Sequence, residues 1–194
     1  MNSQDKKNQL IDSSFKIIED EGWDNFTLKK LSEKKNLDIN IINQLLRSKK
    51  NLLKEFSKMI DFKVEKEFDF QDLHDSSTKD NLFELIMLRL EYMQPYKAAL
   101  TRIIFSITKQ PGMLRSVSNN VLDSLDFYLE LTKAYDKSFF DLFKKKSILL
   151  IYSYIFKIWL DDKTEELSKT MSELDKLLTF SERLANNIKN YALF

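Results

Sequence analysis

Two glycines and two prolines in 194 residues constrain this fold more than any other feature of the sequence. At average usage of roughly 7% and 5%, a chain this long carries about 14 and 10 of them. Turns that need a positive or preset φ must therefore be few. That excludes β-rich sandwiches and barrels and most glycine-loop nucleotide folds. With 43% hydrophobic residues, the remaining solution is all-α: few helices, long ones, around a real core. The chain has no cysteine, so no disulfide forms and a reducing cytoplasm is the natural compartment.

The charges nearly cancel, 31 basic against 30 acidic, which excludes binding to nucleic acid or membrane by the field of the whole protein but leaves room for a local patch. Residues 1–60 carry twelve basic and nine acidic side chains, and the other residues 19 and 21. The opening MNSQDKKNQ is polar and starts no signal peptide. The most apolar run, Ile148 to Leu160, has 13 residues and contains Lys157. That is short of the roughly 20 needed to cross a bilayer, so it reads as a core or interface helix.

Helical periodicity organises the chain. Leu10, Ile11, Phe15, Ile17 and Ile18 fall mostly on one face of a helix over 5–21, and Gly22 follows as its C-terminal glycine. Thr27 caps a short helix, Leu28 to Lys34, and Lys35-Asn36-Leu37 breaks the pattern with Asn at a position suited to αL. Asp38 caps a third helix through Leu46, and Ser48 a fourth to about Glu67. Asp69 to Ser77 reads as a packed linker. Longer helices follow: 81–93, then one opened by Pro95 and ended near Lys109, with Pro111-Gly112 as a separator, then roughly 113–134, 138–160 and 164–190. Helices above 20 residues pack along their length, as in a bundle.

Three short helices within 47 residues, with a tight break between the second and third, are the pattern of a helix-turn-helix unit. Placing Ile42 inward puts Leu45 and Leu46 on the buried side of the third helix. Asn40, Asn43, Gln44 and Arg47 then face outward, flanked by Ile39 and Ile41. Amides can bond adenine bidentately and Ile can meet a thymine methyl. Lys49, Lys50 and the amides that open the fourth helix could hold a phosphate. The plainer reading is a solvated polar face with two stray isoleucines.

The order of Leu10-Ile11-Asp12, Gly22-Trp23-Asp24, Thr27-Leu28-Lys29-Lys30-Leu31, Leu37-Asp38, Ile42, Leu46-Arg47-Ser48-Lys49 and Leu52-Leu53 resembles, without a gap over residues 8–58, the DNA-binding domain of the TetR family of bacterial regulators. The resemblance implies an all-α protein with a three-helix helix-turn-helix domain over 1–50 and a helical ligand-binding and dimerisation bundle over 51–194. It implies that Thr27, Lys29 and Asp38 join the outward residues of the third helix at double-stranded DNA. It also implies a homodimer through the last two long helices, and a repressor released by an apolar small molecule. The pattern departs at Ser13, Ser14 and Ser32, where alanines are usual, at Asn36 for the turn glycine, at Asn43 for a phosphate-contacting tyrosine, and at Leu45.

Large apolar residues at helical spacing in the second part, Phe83, Met87, Leu90, Met93, Phe105, Phe127, Leu131, Tyr152, Phe156 and Trp159, are candidates to line a greasy cavity. Plain core is the simpler reading of such stripes. A second resemblance concerns Leu82 to Ala98, Trp159-Leu160, Asp162, Thr164, Thr170-Met171 and Leu174-Asp175. These are similar to the lipid-binding accessory proteins of ubiquinone biosynthesis, which share the TetR fold. That implies a lipid or isoprenoid ligand and a vestigial helix-turn-helix as the alternative function.

No chemistry of catalysis is expected: no nucleophile–base pair, phosphate loop or paired carboxylates, and no cofactor or metal site. His74 stands alone with Asp72 and Asp75, poor material for a metal. Asp161, Asp162, Glu165 and Glu166 suit the dipole at the start of the last helix. Tyr191 to Phe194 could pack on the dimer bundle or on a membrane surface.

Overall fold

A computed structural model describes residues 3–69, 73 and 75–192 of the chain, with side chains through 187. His74 and Phe70 lie outside the described residues, as do the side chains of the 191–194 terminus. The described residues are helical with no strand. The order is α1 (Ser3–Glu21), α2 (Leu28–Lys35), α3 (Ile39–Leu46), α4 (Lys49–Glu67), α5 (Thr78–Met93), α6 (Lys97–Ile107), α7 (Pro111–Leu131), α8 (Asp141–Asp161) and α9 (Ser168–Ala192). Single 3₁₀ turns, Gln94–Tyr96 and Glu165–Leu167, precede α6 and α9.

The chain divides into two compact units, Met1–Glu65 with Tyr92–Val121, and Lys66–Glu91 with Leu122–Phe194. In the first unit α1 packs on α6 and against α2 and α3. Its core gathers Leu10, Ile11, Phe15, Ile18, Trp23, Phe26, Leu31, Ile42, Leu46, Leu52 and Phe56. The rings of Phe15 and Phe56 stack at 4.2 Å, and Tyr96 meets both edge-on at 5.3 and 5.0 Å. Tyr96 donates its hydroxyl to Asp12 Oδ1 at 2.6 Å. In the second unit α8 packs on α9, around Leu85, Ile86, Leu90, Leu125, Tyr128, Ile148, Tyr152, Ile155, Trp159, Leu174 and Leu178.

Caps explain the boundaries of the early helices. Gly22 takes φ +86°, where any Cβ is strained, and its N–H closes on Ile18 O at 2.9 Å. Thr27 Oγ1 accepts from Lys30 N–H at 3.2 Å, Asp38 Oδ1 from Asn40 N–H at 2.8 Å, and Ser48 Oγ from Asn51 N–H at 3.0 Å. Ser14 is fully buried, and its hydroxyl donates to Leu10 O at 2.7 Å, so a serine is tolerated inside the core.

Later boundaries differ in instructive ways. Pro111 and Gly112 do not separate two helices; they form the first turn of α7, where Pro lacks only an N–H that needs no partner. α5 starts three residues before its expected Asn81, because Ser77 and Asp80 form a reciprocal cap: Ser77 Oγ donates to Asp80 Oδ2 at 2.7 Å and accepts from Asp80 N–H at 3.1 Å. The acidic cluster before α9 is not simply a dipole feature. Asp162 is buried, and its carboxylate accepts four hydrogen bonds: Thr164 N–H and hydroxyl at 2.9 and 2.6 Å, Thr170 N–H and hydroxyl at 2.8 and 2.6 Å. These bonds favour the ionised form over the opposing cost of burial and hold the carboxyl far below its ordinary range.

Candidate nucleic-acid interface

The α2–α3 turn is built by neighbours in sequence. Asn36 adopts αL with φ 50° and ψ 46°, so the asparagine does what a turn glycine does elsewhere. Leu37 N–H donates to Ser32 O at 3.1 Å, and Ser32 Oγ donates back to Leu37 O at 2.6 Å. The serine at a position where alanine is usual therefore fastens the turn.

This turn sets the rotation of α3. Ile42 and Leu46 are fully buried and Leu45 half-buried. Asn40, Asn43, Gln44 and Arg47 are exposed, Ile41 is 45% exposed, and Ile39 is half-buried at the flank. The side-chain amides of Asn40, Asn43 and Gln44 form no hydrogen bond among the described residues. The structure thus brings together the outward face expected of the third helix. Arg47 closes α3 at φ 58°, its N–H on Asn43 O. Thr27 and Asp38 are exposed, and each serves as a cap. Lys29 is exposed, 3.9 Å from Glu33.

Lys49 is placed differently from the phosphate-holding role expected of it. Its half-buried ammonium donates to the Trp23 carbonyl and lies 4.5 Å from the centre of the Trp23 ring. Burial lowers its pKa, partly opposed by the charge of Asp24. Two other cations are engaged by Glu21, which binds Lys30 at 2.7 Å and Lys34 at 2.6 Å. Those two hydrogen bonds pull the Glu21 carboxyl down to about 2. Lys35, Arg47, Lys50 and Lys54 are exposed and have no ion pair among the described residues.

Sequence reasoning missed how the helix-turn-helix is tied to α6. Asp24 Oδ2, after α1, accepts from Ser106 Oγ near the end of α6 at 2.9 Å, and the Tyr96–Asp12 bond makes a second tie at the start of α6. Gly22, Trp23, Asp24, Asn25, Thr101, Arg102, Phe105 and Ser106 line an open cleft of about 330 Å³ there. Its two walls are some eighty residues apart in the chain, so no local pattern announces them.

The ten apolar candidates do not share one environment. Met87, Leu90, Tyr152 and Trp159 are core of the second unit, where Tyr152, Phe156 and Trp159 follow one another at 6.1 and 5.2 Å between rings. Phe83, Leu131 and Phe156 are half-buried, and Phe127 is exposed. Met93 is buried in the first unit. Phe105 is 67% exposed with Lys109 Nζ 3.9 Å from its ring centre, because α6 turns Leu100, Ile103 and Ile107 inward instead.

An all-α chain with an outward-facing helix after a tight αL turn is a helix-turn-helix protein in class. Comparison with solved structures gives the particular fold. The chain matches the TetR transcriptional regulator from Nitrosomonas europaea over 90% of its own length and 97% of that chain, with a TM-score of 0.75 and 16% identity. It matches the TetR family transcriptional regulator PfmR from Thermus thermophilus over 88% and 97%, with a TM-score of 0.50 and 12% identity. At such identities the likeness is one of fold, and this chain has the TetR fold. No family model matches the sequence, and no curated protein does.

Proposed function

We propose that this chain is a transcriptional regulator of the TetR type, a repressor that binds palindromic operator DNA as a homodimer and is released by an apolar small molecule. The observation that carries the reading is the outward face of α3. Asn40, Asn43 and Gln44 stand exposed beside Ile41, on a helix whose opposite side, Ile42 and Leu46, is fully buried. Folding does not use those amides, and base edges in a major groove do. Residues 1–50 are the DNA-binding part in this reading and 51–194 the ligand-binding and dimerising part. Among the described residues no helix is long and apolar enough to cross a membrane, and we assign the protein to the cytoplasm.

The dimer is assigned to α8 and α9. α8 leaves Phe143, Leu150 and Tyr154 exposed, and α9 leaves Met171, Phe180 and Leu184 exposed, on helices already packed together. In this reading the dimer offers its two copies of α3 to successive major grooves of DNA, which lie about 34–36 Å apart. Binding of the small molecule is read out through α6. Tyr96 at its start and Ser106 near its end hold α1 and the α1–α2 turn, so a displaced α6 carries the helix-turn-helix with it.

The residues that carry the lipid-protein resemblance are occupied by the fold. Trp159, Asp162, Thr164 and Thr170, which carry that resemblance, form the corner between α8 and α9. A gel-shift with the DNA upstream of its own gene tests the proposal. The expected result is a palindrome-specific shift that weakens with salt. Absence of a shift at low salt, with a copurified lipid found by native mass spectrometry, contradicts it.

A further inference from the structure

Between α7 and α8 the chain turns a corner whose polar groups are tied down. Tyr135 donates its hydroxyl to Asp126, and Lys145 pairs with the same carboxylate. Lys144 donates to Ala134 O at 3.0 Å and pairs with Asp136 and Asp141 at 3.0 and 2.9 Å. Asp136 N–H donates to Asp141 Oδ1, and Ser138 N–H to Asp136 Oδ1, both at 3.2 Å. Yet the large apolar side chains of this pinned corner face outward: Phe139 is 91% exposed, Leu142 59% and Phe140 36%. The rings of Phe139 and Phe140 meet at 6.2 Å between centres, and large apolar side chains exposed on so firmly held a corner mark an interaction site.

The surrounding charge selects the partner. Residues 133–146 hold five lysines and two aspartates, and Asp126 and Glu130 of α7 face the same corner, Asp126 engaged by Lys145. Asp136 and Asp141 are engaged by Lys144, whereas Lys133, Lys137 and Lys146 are exposed and form no ion pair among the described residues. We propose that this corner docks the protein on the surface of an anionic phospholipid bilayer. Phe139, Phe140 and Leu142 enter the interfacial layer, and Lys133, Lys137 and Lys146 meet the lipid phosphates. A second copy of this chain is a poorer occupant, because a two-fold contact sets the same three lysines against themselves. Docking here does not depend on the DNA-binding reading.

Flotation of the full-length protein with vesicles tests this. The protein is expected to float with equimolar phosphatidylglycerol and phosphatidylethanolamine and to stay behind with phosphatidylcholine alone. Phe139→Glu is expected to reduce the floated fraction roughly tenfold or more, and Lys137→Glu with Lys146→Glu several-fold, most at low salt. Helical content by circular dichroism should be unchanged in both variants, since none of the three side chains is buried. The proposal is overturned if the wild type ignores anionic vesicles, or if both variants float as well as it does. It is also overturned if Phe139→Glu converts a dimer to a monomer in sedimentation, since the corner is then a self-contact.

Discussion

The α2–α3 corner and the α8–α9 corner are both fastened by small polar side chains, but over different ranges. At the first, Ser32, Asn36 and Leu37 close on each other within six residues, and Asp38 caps the next helix from the surface. At the second, a buried carboxylate reaches from Asp162 to Thr164 and Thr170 and joins two helices at once. The local corner needs no burial and leaves the face of α3 open, so the amides beyond it can meet a ligand. The long-range corner engages all of Asp162 in stability, so an acidic residue beside a threonine pair there is architecture rather than chemistry.

The largest effect expected from this difference is on stability. Asp162→Ala leaves Thr164 and Thr170 donors without their acceptor and should cost about 3 kcal/mol in urea unfolding. Because the folded state holds this carboxyl low, its contribution is present above the unfolded pKa of about 4 and is lost as pH falls below it. Asp162→Asn should flatten that acid limb. If Asp162→Ala costs no more than a surface substitution, the distinction between the corners fails.

Next come base contacts. Gln44→Ala or Asn40→Ala should weaken binding to a preferred duplex by about 1–3 kcal/mol and relax discrimination at individual base pairs, with the unfolding midpoint unchanged. Arg47→Ala should instead weaken all duplexes alike and flatten the salt dependence. Competition anisotropy with single-base variants separates the two patterns.

A smaller effect belongs to the local corner. Asn36→Gly should hold or slightly raise stability, whereas Asn36→Val, β-branched at a positive φ, should lose about 1–2 kcal/mol. Equal midpoints for the two variants would show that the turn does not fix αL there.

The smallest concerns electrostatics. Glu21→Gln releases Lys30 and Lys34 from their pairs and should raise non-specific DNA affinity a few-fold while steepening its salt dependence. A decrease would mean that those lysines face away from the phosphates.

The parts of the fold legible in the sequence are those decided by near neighbours. Gly22, Thr27, Asn36, Asp38 and Ser48 mark their boundaries because each cap closes within about four residues. The burial of Ile42 and Leu46 follows from helical period alone. Lys49 was not legible: its choice of Trp23 over solvent depends on how α1 and α4 meet. Nor is Asp162 legible: its acidic neighbours suit a helix dipole, and only the fold brings the Thr170 hydroxyl within 2.6 Å. The exposure of Phe105 was equally hidden, since a stripe of apolar residues does not say which helix covers it.

The central claim is that the open face of α3 reads DNA. Retention of a random pool of DNA duplexes by the full-length protein, followed by sequencing, tests it most directly. The account predicts enrichment of an inverted repeat whose half-sites lie about one helical turn apart and contain adenine and thymine at the contacted steps. Gln44→Ala should shift that enriched sequence. A pool that emerges unenriched at low salt, or an enriched sequence indifferent to Asn40, Asn43 and Gln44, contradicts it.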